Sequence, residues 1–173
     1  GNGYTIETYD NYGNKVMTTT GDKINVSGNK IETTSYDSSG SVITGYELSS
    51  VITINIDGKQ IQSCGDTCIF AQKGLEPDVD FVQQDISSES SGKIDENTYI
   101  SNIVNKYKNY FGKSRVVVIK SQLGQPITAY SGDEVYWKIP EKLPKMTKLM
   151  IDGKALYIHR ANFQIIDTDL LDQ

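Results

Sequence analysis

"IDGK" occupies residues 56–59 and again residues 151–154, each time between two runs rich in β-branched or apolar residues. Asp-Gly supplies the positive φ that a two-residue hairpin turn needs, and the flanking runs supply its strands. The surroundings recur as well. Gly21-Asp22 lies eight residues after Gly13, as Gly132-Asp133 lies eight residues after Gly124, and each pair precedes an IDGK. From Gly21 to Gly58 the interval is 37 residues and from Gly132 to Gly153 it is 21, so the first copy carries 16 more residues. A second register aligns GSVITGY (Gly40 to Tyr46) with GQPITAY (Gly124 to Tyr130) and ends at the same IDGK. We read the difference as an extra hairpin near Lys30 to Tyr46 inserted into the first copy of a duplicated unit. Its YDSSGSVIT echoes YDNYGNKVM at Tyr9 to Met17, through a duplicated hairpin or through shared turn chemistry.

The rest of the chain fits that reading. YTIETYD, KVMTTT, VITINI, RVVVIKS and EVYWKI are rich in Val, Ile, Thr and Tyr, many alternate apolar with polar, and turn residues separate them. Short strands joined by tight turns imply antiparallel pairing. DENTYISNIVNKYKNYF, from Asp95 to Phe111, breaks the pattern. Its apolar residues fall on one face at period 3.6, Asp95 suits the N-cap and Gly112 the stop, so the segment predicts an amphipathic helix. The polar, Ser-rich QQDISSESSGK before it reads as a linker. The expected architecture is mainly β: two related small antiparallel β units, each a curled sheet or partial barrel, with the helix between them. One continuous sheet or sandwich is the alternative. The units are residues 1–83 with the inserted hairpin, 84–113 with linker and helix, and 114–173.

The net charge is −5, from 17 Lys and Arg against 22 Asp and Glu. Such a balance argues against nucleic acid and against direct binding to an anionic membrane, since both need a basic face. Apolar runs are too short to cross a bilayer. The chain opens GNGYT without Met, so a secretion signal or a lipid-anchor segment ahead of Asn2 stays open.

The order YD-x-x-G-x-x-(V/I), then GDKI or GDEV, then an apolar strand into IDGK, resembles a family of uncharacterised Gram-positive bacterial lipoproteins, domain of unknown function 5052. The second copy carries it best, through GQPITAYSGDEV and MIDGKALYIHRANFQIID; the first carries it through YDNYGNKVMTTTGDKINV and VITINIDGKQI. The resemblance implies an extracytoplasmic protein held at the membrane by lipid on a cysteine upstream. It implies no chemistry.

In an exported protein, Cys64 and Cys68 of SCGDTC are spaced to close a disulfide across a turn; two reduced thiols are the alternative, and zinc lacks further soft ligands. His159, the single histidine, is expected at the surface or rim of a strand. Glu76, Asp78 and Asp80, and Asp167, Asp169 and Asp172, read as solvated loop and polar tail. Neither Gly-x-Ser-x-Gly nor His-Glu-x-x-His occurs, and no motif calls for a cofactor or metal. Tyr130, Tyr136 and Trp137 are candidate ligand contacts; alternation puts only one of Tyr136 and Trp137 in the core and leaves the other free for a sugar or peptide. The prolines of KIPEKLPK, from Lys138 to Lys145, predict a stiff exposed loop, while Gly58 and Gly153 serve the turns. Three functions follow: a non-enzymatic envelope lipoprotein that binds another envelope component, a glycan- or peptide-binding module using exposed aromatics, or a hydrolase with acidic groups.

Overall fold

The computed structural model describes residues 3–81 and 111–171. Its strands are β1 (Tyr4–Tyr9), β2 (Lys15–Gly21), β3 (Ile24–Tyr36), β4 (Val42–Ile56), β5 (Lys59–Ser63), β6 (Thr67–Gln72), β7 (Val79–Asp80), β8 (Arg115–Lys120), β9 (Pro126–Gly132), β10 (Val135–Lys138), β11 (Met146–Ile151), β12 (Lys154–His159) and β13 (Asn162–Asp167). They form open antiparallel sheets, in the orders β10-β11-β12-β6-β1-β2, β13-β8-β9-β7 and β3-β4-β5. The helix expected over Asp95 to Phe111 falls, except for Phe111, outside the described residues. Among those residues, helical structure is one 3-10 turn at Thr168–Leu170.

The two copies share one wiring. In each, the first strand pairs with the second and the sixth (β6-β1-β2 and β13-β8-β9), and strands three to five form a meander (β3-β4-β5 and β10-β11-β12). Both IDGK motifs are the meander's second turn, with Asp57 and Gly58 at φ 48° and 85° and Asp152 and Gly153 at 47° and 83°. Gly13 and Gly124 both sit in the turn between the first two strands, donating to the carbonyls of Asp10 and Ser121. That position selects the first of the two registers. Gly40 makes the same turn with Asp37 at the tip of β3 and β4, so the YDSSG echo is shared turn chemistry.

The copies are joined, because β12 of the second pairs with β6 of the first, from Leu156 opposite Ala71 to His159 opposite Cys68. The resulting six-stranded sheet is buried on both faces around β6. Ile69 and Ala71 face one core with Val117, Ile119, Ile127 and Leu156; Cys68 and Phe70 face another with Ile6, Ile52, Ile54 and Met146. The layers are thus the three-stranded, the six-stranded and the four-stranded sheet. Val116 and Val118, on the other side of β8, join Val79, Phe81 and Leu171 in a third cluster.

The 16 extra residues do not add a hairpin; they lengthen one. β3 and β4 run for 13 and 15 residues where β10 and β11 have 4 and 6. β5 covers β4 only from Ile52 to Ile56, so from Lys30 opposite Leu48 to Tyr36 opposite Val42 the two strands form a ribbon, beyond a bulge at Gly28/Lys30. The proline loop of the second copy, between β10 and β11, occupies the place of this arm in the wiring. It is not simply exposed: Leu143 packs on the core of the three-stranded sheet, and a Cβ at Gly28 would collide with the Lys142 carbonyl oxygen and touch Pro144 at 3.3 Å.

Candidate functional site

Register places Tyr36, Val42 and Tyr46 on one face of the arm, where they are 70%, 62% and 69% exposed. Ile31 and Ile43 are exposed on the opposite face. Along β3 and β4 the two tyrosines stand about 13 Å apart, four residues of strand. Large apolar groups thus stand in water on both faces of the ribbon, spaced by the Thr34–Thr44 and Thr33–Gly45 pairs, which makes the arm a candidate contact surface.

The aromatics expected at a ligand site separate. Tyr130 is buried between the sheets, only 4% exposed, and lines a small cleft of about 120 Å³ beside Glu7, Lys15 and Asp80. Tyr136 and Trp137 are both exposed, so neither lies in the core. The reason is position: β10 is the edge of the six-stranded sheet, and only its first residue, Val135, packs against the core. Lys138 lies 5.8 Å above the Tyr136 ring.

A cleft of about 180 Å³ opens between β3 and the six-stranded sheet, lined by Ile24, Asn25, Val26, Tyr4, Phe70, Tyr157 and Leu143. Phe70 meets Tyr157 edge-on at 6.4 Å, and Lys148 covers the outer side of Tyr157 at 5.4 Å. Burial, and then the neighbouring Tyr157, push the Tyr4 phenol up. On the far side of Leu143 lies an open groove of about 550 Å³, which includes Lys145, Met146 and Arg160.

The acidic stretch is less solvated than expected. Lys15 Nζ bridges Glu7 at 3.5 Å and Asp80 at 3.2 Å, and stands 5.9 Å from the centre of the Tyr9 ring. Ser131 donates to Asp78, whose carboxyl burial pushes up. Burial, and then the surrounding carboxylates, also raise the phenols of Tyr9 and Tyr130. Two carboxylates in a cleft are the raw material of a glycosidase, which needs the space between them for a sugar and a water. Here the Lys15 ammonium bridges Glu7 and Asp80 at the wall of the small cleft of about 120 Å³ that Glu76 and Tyr130 also line.

Three residues depart from the leading expectation. Cys64 and Cys68 are free thiols, not a disulfide. Cys64 is exposed on the turn, whereas Cys68, on β6, points into the core beside the hydroxyls of Thr8 and Ser63. His159 is fully buried, not at the rim, and is the cross-strand partner of Cys68. Among the described residues, neither ring nitrogen has a partner in hydrogen-bond geometry. Burial, and then the Arg160 charge, hold its pKa down to about 4, outweighing the nearby Pro144 carbonyl. Burial raises the Cys68 thiol. The two side chains are cross-strand neighbours in the core, and no hydrogen bond joins them among the described residues. Strand periodicity gave the face of His159 but contained no signal for the layer that covers it.

Set beside known proteins, residues 1–171 match the family model described as Domain of unknown function (DUF5052). No curated protein and no solved structure matches.

Proposed function

We propose that this chain, which belongs to the DUF5052 family, is a non-enzymatic binding protein of the Gram-positive cell envelope, held outside the membrane by a lipid on an upstream cysteine and acting by contact. The observation that carries the binding role is the arm, with Tyr36, Val42 and Tyr46 on one face in water. Ordering two long strands around such residues is unfavourable without a partner, and exposed tyrosines supply large, stiff contact area. The partner is another envelope component. The tether rests on the lipoprotein resemblance; the acidic balance of the chain disfavours direct attraction to anionic lipid.

A glycan and peptide array, probed with the wild-type chain and with a Tyr36→Ser/Tyr46→Ser variant, tests the arm. Wild-type signal lost in the variant is the expected result, and equal signal removes the arm from the function. Metabolic labelling of the full-length protein with an alkyne fatty acid tests the tether, and an unlabelled protein rules it out.

A second reading, a carbohydrate- or peptide-binding module centred on β10, is favoured by Trp137 at 59% exposure beside Tyr136. Trp137→Ala on the same array separates the two readings.

A further inference from the structure

We infer that the groove between the proline loop and the end of β12 is a binding site for a phosphate monoester, with Lys145 and Arg160 as its cationic contacts. This goes beyond the arm-based reading and rests on different residues. In a chain of net charge −5, the groove is lined by Lys145 and Arg160 with no carboxylate among the described residues: its other walls include Gln122, Thr147 and Asn162 and the apolar Leu143 and Met146.

Backbone strain sets these two cations apart. Lys145 and Arg160 both occupy the left-handed region, at φ 55° and 58°, where neither Gly nor Asn relieves the crowding. They are locked together, with Arg160 N–H donating to the Lys145 carbonyl at 3.0 Å and Thr67 Oγ1 donating to the Arg160 carbonyl. Strain of this kind persists where a fold holds side chains in an arrangement they would not adopt alone, and it concentrates at ligand sites. The guanidinium is also only partly satisfied. One terminal nitrogen donates to the Ser50 carbonyl at 3.3 Å, while Nε is buried without a partner among the described residues. A buried donor left unpaired is unfavourable, and a rotation of the fork onto an incoming oxyanion would relieve it.

The ligand class follows from charge and shape. A phosphate monoester carries between one and two negative charges near neutral pH and matches two cations better than a single carboxylate does. The planar guanidinium binds such oxygens through two parallel bonds, with Lys as a point charge beside it. Thr147 stands along the groove for a remaining oxygen, Asn162 lines it with its amide already donating to the Ser121 carbonyl at 3.2 Å, and Ile139, Leu143 and Met146 provide a wall for a carbon body. A volume of about 550 Å³ suits a small molecule.

The test is an ¹⁵N NMR titration of the chain with inorganic phosphate, glycerol 3-phosphate and acetate at matched ionic strength. Saturable shifts of the Arg160 Nε–H and of the Lys145, Thr147 and Asn162 amides are expected with phosphate and larger with glycerol 3-phosphate. Lys145→Gly relaxes the strained φ while removing the cation, and Arg160→Gln keeps polarity without charge. Each is expected to weaken binding about tenfold or more, the scale of one charge-assisted contact, while Tyr36→Ser/Tyr46→Ser leaves it unchanged. Shifts that fail to saturate, shifts unaltered in both groove variants, or acetate saturating at the same midpoint as phosphate would each overturn the assignment.

Discussion

The carboxylate of Asp152 accepts the backbone N–H of Glu134 at 2.8 Å, and so ties the IDGK turn of the second copy to the Gly-Asp turn 18 residues earlier. It accepts from Asp133 N–H as well, while the Asp152 N–H returns a bond to the Glu134 carbonyl. Asp57 repeats the arrangement in the first copy, accepting from Lys23 N–H at 2.8 Å and from Asp22 N–H at 3.3 Å. Two sequence motifs that look like separate turns are therefore one clasp. Asp152→Ala or Asp57→Ala is expected to destabilise the fold by about 2 kcal/mol, because two backbone donors lose a charged acceptor and Ala resists the positive φ. Asn, which keeps an oxygen and tolerates that φ, should restore most of the loss. Urea denaturation of the four variants measures both effects.

The glycine of each Gly-Asp pair is fixed by the same clasp. Gly21 and Gly132 are not in the left-handed region; they are glycine because a Cβ would stand 2.5 Å from Ile56 Cγ2 and 2.8 Å from Ile151 Cγ2. Gly21→Ala and Gly132→Ala should each destabilise by roughly 1–3 kcal/mol through overpacking, with Gly21 the more sensitive. Equal thermal midpoints for wild type and either variant would contradict the clasp geometry.

This clasp shows why so much of the fold was legible. Asp-Gly, Gly-Asp and the β-branched runs beside them encode turns and strands within a few residues of themselves, and their repetition exposed the duplicated wiring. What long-range packing decides was not legible. Whether Cys68 and His159 face solvent depends on β4 and the proline loop covering one side of the six-stranded sheet. Alternation says that Tyr136 and Trp137 point apart, but not that an edge strand would leave both in water. Gly28 gave no hint that Lys142 and Pro144 rest on it. The strained pair Lys145 and Arg160 was equally silent, because a positive φ at a cationic residue is imposed by tertiary structure.

His159 should make stability fall with acid. Its folded pKa is depressed to about 4 from a usual 6.5, so between those values the unfolded chain binds a proton that the folded chain refuses. Stability contributed by the neutral imidazole is thus full above about pH 6.5 and is lost as pH falls toward 4, by up to roughly 3 kcal/mol. Unfolding midpoints at pH 7 and pH 5 for wild type and His159→Leu check this. The variant should lose most of the difference between the two pH values, and at pH 7 its stability should be little changed. The Pro144 carbonyl nearby forms no well-aligned hydrogen bond with the ring, and no other partner stands among the described residues.

Removing the arm tests whether its length is structural or functional. The second copy completes the same meander with strands of 4 and 6 residues, and the ribbon beyond Gly28 contributes none of the fully buried side chains of the core. Replacing Glu32 to Tyr46 with a short turn should therefore leave a folded chain with a thermal midpoint within a few degrees of wild type, since the clasp, the three cores and the Gly28 contact with the proline loop all persist. A two-state unfolding transition and retained β-sheet circular dichroism are the expected readouts. Loss of cooperative unfolding would make the arm part of the folding unit and would remove the argument that its exposed tyrosines are kept for a partner.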